Sequence, residues 1–301
     1  MPEWRDPEVA GLQAAMAAFA AAPDAPRPSW PERRMGIDAM GASVPPPESC
    51  LVEAMTLGGV PAEKIAPAGA VADRTIFYLH GGGYCLGGCA SHRTMVARMA
   101  EAAQATAFVV DYRLAPEHPF PAAHDDALSA WRALLALGRD PARTVIAGDS
   151  AGGGLSVACA VAARDAGLPL PAGLHLISPW VNLTNASPAY AAKAQTDFII
   201  TQQGIDEFAA SYLGDGDRRT PRASPLFADL AGLPPMLIQV GSEEVLLSDS
   251  TQLAEAAGLA RVDVTLRIWP DMVHIWPFFA MISAGGRAIE ESSAWIRARV
   301  G

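Results

Sequence analysis

Ser150 is the residue in this sequence best placed to do chemistry. It lies in Gly148-Asp149-Ser150-Ala151-Gly152-Gly153, between the apolar run Thr144-Val145-Ile146-Ala147 and an Ala-rich run from Leu155 to Arg164. The first run is short and β-branched, which reads as a buried strand; the second holds helix formers and stops before Gly167. A Gly-x-Ser-x-Gly turn from strand to helix exposes the serine Oγ. It also puts the next N–H, that of Ala151, at a helix N-terminus, where it can stabilise negative charge. Such a turn suits attack on an acyl carbon. In a chain with 27 glycines the bare motif reads equally well as a turn of small residues, so its partners decide.

Acyl transfer needs donors for the oxygen that gains charge, and a base for the serine proton. His80-Gly81-Gly82-Gly83 closes a strand-like run about seventy residues earlier. Consecutive glycines let backbone N–H groups face a cleft, so Gly82, Gly83 and Ala151 are the expected oxyanion donors. His80 reads as an anchor of this loop. No Gly-Lys-Ser/Thr follows, which disfavours a phosphate cradle. The base is His274, in Pro270-Asp271-Met272-Val273-His274-Ile275-Trp276. It is the only histidine beyond residue 175 and follows the last predicted strand, as the order nucleophile, acid, base requires. The orienting carboxylate belongs in Gly241-Ser242-Glu243-Glu244-Val245-Leu246-Leu247-Ser248-Asp249. Glu244 is favoured over Glu243 and Asp249, because the acid must stand at a strand end ahead of a helix. Asp249 falls in a first helical turn, where it also suits the helix dipole. Asp271 is too close to His274 in sequence to be the first choice.

These groups need a scaffold that brings them to one edge. Strands are expected at 50–57, 74–80, 106–112, 143–147, 174–178, 235–240 and 262–268, with Gly58-Gly59 as a turn. Helices are expected from Ser91, as N-cap, to about Ala103, and over 121–137, 155–164, 201–212, 246–259 and 284–300. Residues 1–45 are expected to form one or two helices and then a Pro-rich connection from Pro23 to Pro47, with Leu12, Met16 and Phe19 giving one apolar face. Strands alternating with helices imply a mostly parallel sheet covered on both faces, with reactive groups at the carboxyl ends of the strands. Residues 182–232 break the rhythm and read as an insertion over that edge.

The bulk composition excludes several classes. A net charge of -10 argues against nucleic acid and anionic membranes as partners. No apolar run is long enough to span a membrane, and the acidic residues before Ala10 are wrong for a signal peptide, so a cytoplasmic protein is expected. Cys50, Cys85, Cys89 and Cys159 have no metal or disulfide spacing and read as reduced thiols. No cofactor and no metal are expected. A nucleotide-binding reading fails for want of Gly-x-Gly-x-x-Gly after a strand.

Three motifs in order, His80-Gly81-Gly82-Gly83, Tyr112 to Ala122 (Tyr-Arg-Leu-Ala-Pro-Glu-His-Pro-Phe-Pro-Ala) and Gly148 to Gly153, resemble the bacterial hormone-sensitive lipase family of α/β-hydrolase esterases, over about residues 75 to 300. The resemblance implies an α/β-hydrolase fold spanning 1–301. It implies a helical cap from 1–45 and 182–232 on a catalytic core of 46–181 and 233–301. It also gives His118 and His124 structural roles. The family pattern Asp-Pro-Leu-x-Asp, aligned without gaps, puts its first Asp on Glu244, a carboxylate one methylene longer. The expected activity is hydrolysis of short-chain acyl esters through an acyl-enzyme at Ser150, with Glu244 and His274, and lactones as a possible subtype. The partner is a small ester, and both monomer and homodimer stay open. Tyr84, Trp180 and Trp276 are expected to touch substrate, with Phe198, Phe208, Tyr212 and Phe278 as further rings. The alternative is a non-catalytic receptor for a small ligand on the same fold.

Overall fold

The computed structural model describes residues 5–19 and 27–301; the side chain of Phe19 and the start of the Pro-rich connection lie outside the described residues. Eight strands form one sheet: β1 (Cys50–Leu57), β2 (Val60–Pro67), β3 (Thr75–Leu79), β4 (Thr106–Val110), β5 (Thr144–Asp149), β6 (Gly173–Ile177), β7 (Met236–Gly241) and β8 (Val264–Trp269). Their spatial order is β1-β2-β4-β3-β5-β6-β7-β8. The β1–β2 hairpin and the β2–β4 pair are antiparallel, and every later pair is parallel. The helices are α1 (Pro7–Phe19), α2 (Trp30–Gly41), α3 (Cys89–Ala103), α4 (Ala122–Ala136), α5 (Ser150–Asp165), α6 (Pro188–Ala192), α7 (Gln202–Leu213), α8 (Leu247–Leu259) and α9 (Ser283–Val300).

The central strands are buried at every position because both faces are covered. Alternate residues part to opposite sides. Ile76, Tyr78, Val109 and Val145 join α3 and α9 in one core, whereas Phe77, Leu79, Val110 and Ile146 join α4, α5 and α8 in the other. The Trp131 ring of α4 meets Phe77 edge-on at 5.6 Å. A third cluster packs Val9 and Leu12 of α1 on Trp269, Met272, Val273 and Trp276, around the segment that carries His274.

Two local expectations need correction. β2 is an additional strand, the return arm of the hairpin turned by Gly58 and Gly59, both with positive φ. Ser91 does not cap α3: the helix starts two residues earlier, and Ser91 Oγ bonds back to the Gly88 N–H and carbonyl. The second of the helices expected over 1–45 is α2, which stands within the Pro-rich connection and is started by a capping box in which Ser29 and Glu32 exchange bonds.

The stretch 182–232 carries α6 and α7 with no strand among its described residues. α2 and α7 meet: Arg27 and Arg33 both reach Glu207, and Trp30 lies 5.6 Å from Phe208. Arg34 ties α2 to the central body, donating to the carbonyls of Cys85 and Ala115 and pairing with Glu117. No helix among the described residues is long and apolar enough to cross a membrane, and all four cysteines are free thiols.

Candidate active site

β5 runs into α5 at Ser150, whose φ is +51. A non-glycine residue in the left-handed region is strained, and here that conformation turns Oγ out of the strand direction at the sheet edge. The turn is tight enough that a Cβ on Gly152 would collide with the Leu79 and His80 carbonyls. Glycine is therefore the residue that lets α5 start directly on β3.

His274 follows β8 and points back across the strand ends. Its Nε2 is 3.0 Å from Ser150 Oγ, and its Nδ1 is 2.8 Å from Glu244 Oε2. All three residues are buried, with Ser150 keeping 7% of its surface exposed. Glu244, just after β7, is held on its other oxygen by the Gly241 N–H at 2.6 Å and the Ser178 hydroxyl at 2.7 Å. The carboxylate is thus fixed in orientation, with Oε2 left for the imidazole.

The other carboxylates have different partners. Glu243 pairs with Lys193 at 3.1 Å. Asp249, in the first turn of α8, is fully buried and accepts from the Val181 and Asn182 N–H groups and from Ser187 Oγ. Burial pushes its pKa up to about 7, against those hydrogen bonds. The Asp271 N–H donates to Ser242 Oγ.

His274 is held above the usual histidine range: burial works against its charge, but the Glu244 bond and the charges of Glu244, Asp197 and Asp149 outweigh it. Its Nδ1 therefore carries a proton toward Glu244, and Nε2 offers its lone pair to the serine.

Gly82 and Gly83 have φ of +111 and +62, and no acceptor among the described residues takes either N–H. A Cβ on Gly83 would stand 2.6 Å from Phe208 of α7, so this loop lies directly under that helix. The Ala151 N–H is in the first turn of α5, where a helix has no partner of its own. His80 bonds the Gly81 carbonyl through Nδ1 and stacks on Tyr112 at 4.1 Å, as expected of a loop anchor.

The three residues expected to touch substrate are packed against other side chains. Tyr84, Trp180 and Trp276 each keep 1% of their surface or less. Tyr84 stacks on Tyr212, Trp180 donates to Asn185, and Trp276 packs on Trp269 while donating to the Ala284 carbonyl. All three are packed as core rings. Phe198, Phe208 and Phe278 keep partly open surfaces. Phe198 and Phe278 border an apolar cavity of about 1080 Å³ between α1, α2 and α3, which none of Ser150, Glu244 or His274 lines.

Sequence reasoning missed Ser178, Asp197 and Asp149. Ser178 bonds Glu244 and also accepts from the Ile275 N–H. Asp197 accepts from Val245 N–H, just after Glu244. The placing of all three depends on which strand ends lie side by side. Among the described residues no His, Cys, Asp and Glu side chains gather as a metal site.

A family model described as the alpha/beta hydrolase fold matches residues 76–278. An esterase from the bacterial hormone-sensitive lipase family superposes with a TM-score of 0.95 at 40% identity, covering 100% of both chains. The chain belongs to that family. Its similarity extends to an acetyl-hydrolase of Streptomyces hygroscopicus, 44% identical over 250 residues and 83% of each chain. It extends also to an esterase of Acinetobacter venetianus, 38% identical over 237 residues, 77% of this chain and 76% of that one. Like those members of the family, the protein is a carboxylesterase.

Proposed function

We propose that the protein is a serine carboxylesterase that cleaves short-chain acyl esters through an acyl-enzyme on Ser150. The observation that carries this reading is the unbroken relay from Ser150 Oγ through His274 to Glu244. Ser150 Oγ attacks the ester carbonyl carbon as its proton passes to His274 Nε2. The carbonyl oxygen becomes an oxyanion facing the N–H groups of Gly82, Gly83 and Ala151. Collapse breaks the bond to the alcohol oxygen, which takes the proton from Nε2 and leaves. Water then enters, gives a proton to Nε2 and attacks the acyl carbon. The second collapse frees the acid and returns the proton to Ser150 Oγ. Glu244 stabilises the imidazolium at both stages.

Residues 1–45 and 182–232 act as a two-part cap, a reading supported by the contacts of α2 with α7 and of Phe208 with Gly83. The small exposed surface of Ser150 and the naming of one relative as an acetyl-hydrolase favour short acyl chains. A lactone, being a cyclic ester, follows the same path. Hydrolysis of p-nitrophenyl esters from acetate to palmitate, with Ser150→Ala beside the wild type, tests both claims. Activity is expected to peak at short chains and to vanish in the variant. Equal activity in Ser150→Ala would remove the nucleophile, and a rate rising steadily to palmitate would remove the short-chain reading.

A further inference from the structure

Asp149 precedes Ser150 and has no exposed surface. Its Oδ1 accepts from the Tyr78 hydroxyl at 2.7 Å and from the Gly81 N–H at 3.0 Å. Its Oδ2 faces His92 Nε2 at 3.3 Å, and the other side of that ring, Nδ1, meets Ser91 Oγ at 2.8 Å. Ser91 Oγ in turn bonds Gly88, at 3.0 Å to both N–H and carbonyl. Gly81 and Gly88 are the two ends of the loop that carries Gly82 and Gly83. One carboxylate therefore holds the near end directly and the far end through His92 and Ser91, and it is joined by a peptide bond to the nucleophile. Gly81 suits this arrangement, since a Cβ there would collide with Asp149 Oδ2.

A buried carboxylate close to a developing oxyanion is electrostatically unfavourable unless it accomplishes something else. Burial raises the pKa of Asp149, but the charge and bond of His92 and the Tyr78 bond hold it below the usual carboxylate range. His80, the neighbouring ring, is kept neutral by burial, its pKa lowered to about 3. The carboxylate thus faces His92 Nε2 and accepts hydrogen bonds that lead to the loop.

We propose that Asp149 and His92 are positioning residues that fix both ends of the 81–88 loop relative to Ser150, so that the Gly82 and Gly83 N–H groups are in place before charge develops. The proposal rests on the reading of Ser150 as nucleophile and adds to it where the loop gets its rigidity. Neither residue touches substrate, so their loss is felt in the transition state and not in ester binding.

The test uses Asp149→Ala, Asp149→Asn and His92→Phe on p-nitrophenyl butyrate, with a trifluoromethyl ketone as the probe that adds to Ser150 and presents an oxyanion. In Asp149→Ala, kcat is expected to fall about 10²-fold, the scale of a lost oxyanion donor, with KM within about threefold. The ketone should bind weaker by a similar factor. Asp149→Asn keeps an oxygen for Gly81 and Tyr78 and should restore most of kcat. It lacks the charge that helps raise the His274 pKa, so its acid limb should move to lower pH. His92→Phe leaves the near end tied and should cost roughly tenfold in kcat alone. If Asp149→Ala does not fold, Asp149→Asn and His92→Phe decide. A kcat within threefold of wild type in folded Asp149→Ala or in His92→Phe overturns the proposal, as does a fall in kcat with unchanged ketone affinity. Absence of ester cleavage by the wild type would instead overturn the proposed function.

Discussion

Replacing Glu244 by glutamine changes one oxygen for an NH2 group, and the surroundings dictate where that group goes. The Gly241 N–H points at one side-chain oxygen from 2.6 Å and can only donate. The glutamine must keep its carbonyl oxygen there, which turns its NH2 toward His274 Nδ1. That nitrogen must then accept, so the imidazole proton moves to Nε2 and faces Ser150. The serine loses its base although no atom has moved. The wrong tautomer costs about 10⁴ in kcat in an analogous triad, or about 5 kcal/mol of barrier. Stopped assays of p-nitrophenyl butyrate hydrolysis, with the fold checked by circular dichroism, would measure it. A loss of less than tenfold would refute the reasoning, because it would mean that the orientation of His274 is set elsewhere. Glu244→Asp is a different perturbation: it withdraws the carboxylate by a methylene and should keep the tautomer while lengthening the 2.8 Å bond.

Asp249→Asn should retain most of the activity, since Asp249 bonds backbone groups and Ser187 and not His274. Its stability should respond to pH differently. With a folded pKa of about 7 against 3.8, the native state holds a proton that the unfolded chain releases, so wild-type stability falls as pH rises from about 4 to about 7. The asparagine variant lacks that fall and should gain on wild type by up to about 4 kcal/mol over the interval, read by urea unfolding at pH 4 and pH 8; a pH-independent difference would contradict it. The acid limb of kcat/KM should lie above pH 6.5, because His274 must lose a proton that Glu244 helps it keep. Its shift to lower pH in Glu244→Gln, whatever the residual rate, would check the cause.

His274 was legible because it is the only histidine after the last strand, and the positions of Ser150 and Glu244 along the chain because strand-to-turn transitions leave local marks: an apolar run, then glycine, then a reactive side chain. The central strands were legible for the same reason. β2 was not, since Pro61, Glu63, Lys64 and Pro67 give no strand pattern of their own, and its pairing with β1 and β4 supplies what local preference withholds. The packing around the aromatic rings expected at the substrate was not legible, because a sequence does not say which neighbours close over a ring. Trp276 is covered by Trp269 and Ala284, residues that reach it only once β8 and α9 are docked. Ser178 was invisible in the same way: it becomes a partner of Glu244 because β6 and β7 pair side by side.

That side-by-side order has a consequence for synthesis and refolding. Ser150, Ser178, Glu244 and His274 follow β5, β6, β7 and β8, which are successive neighbours in the sheet. Ser150 emerges 124 residues before His274. A growing chain can complete the elbow and most of the hydrophobic core while still being unable to cleave an ester. Activity arrives only when the final parallel strand docks on β7 and the segment after it folds back over the edge. Enzymatic turnover is therefore a reporter of the last assembly step, and during renaturation its recovery should trail the return of helical signal.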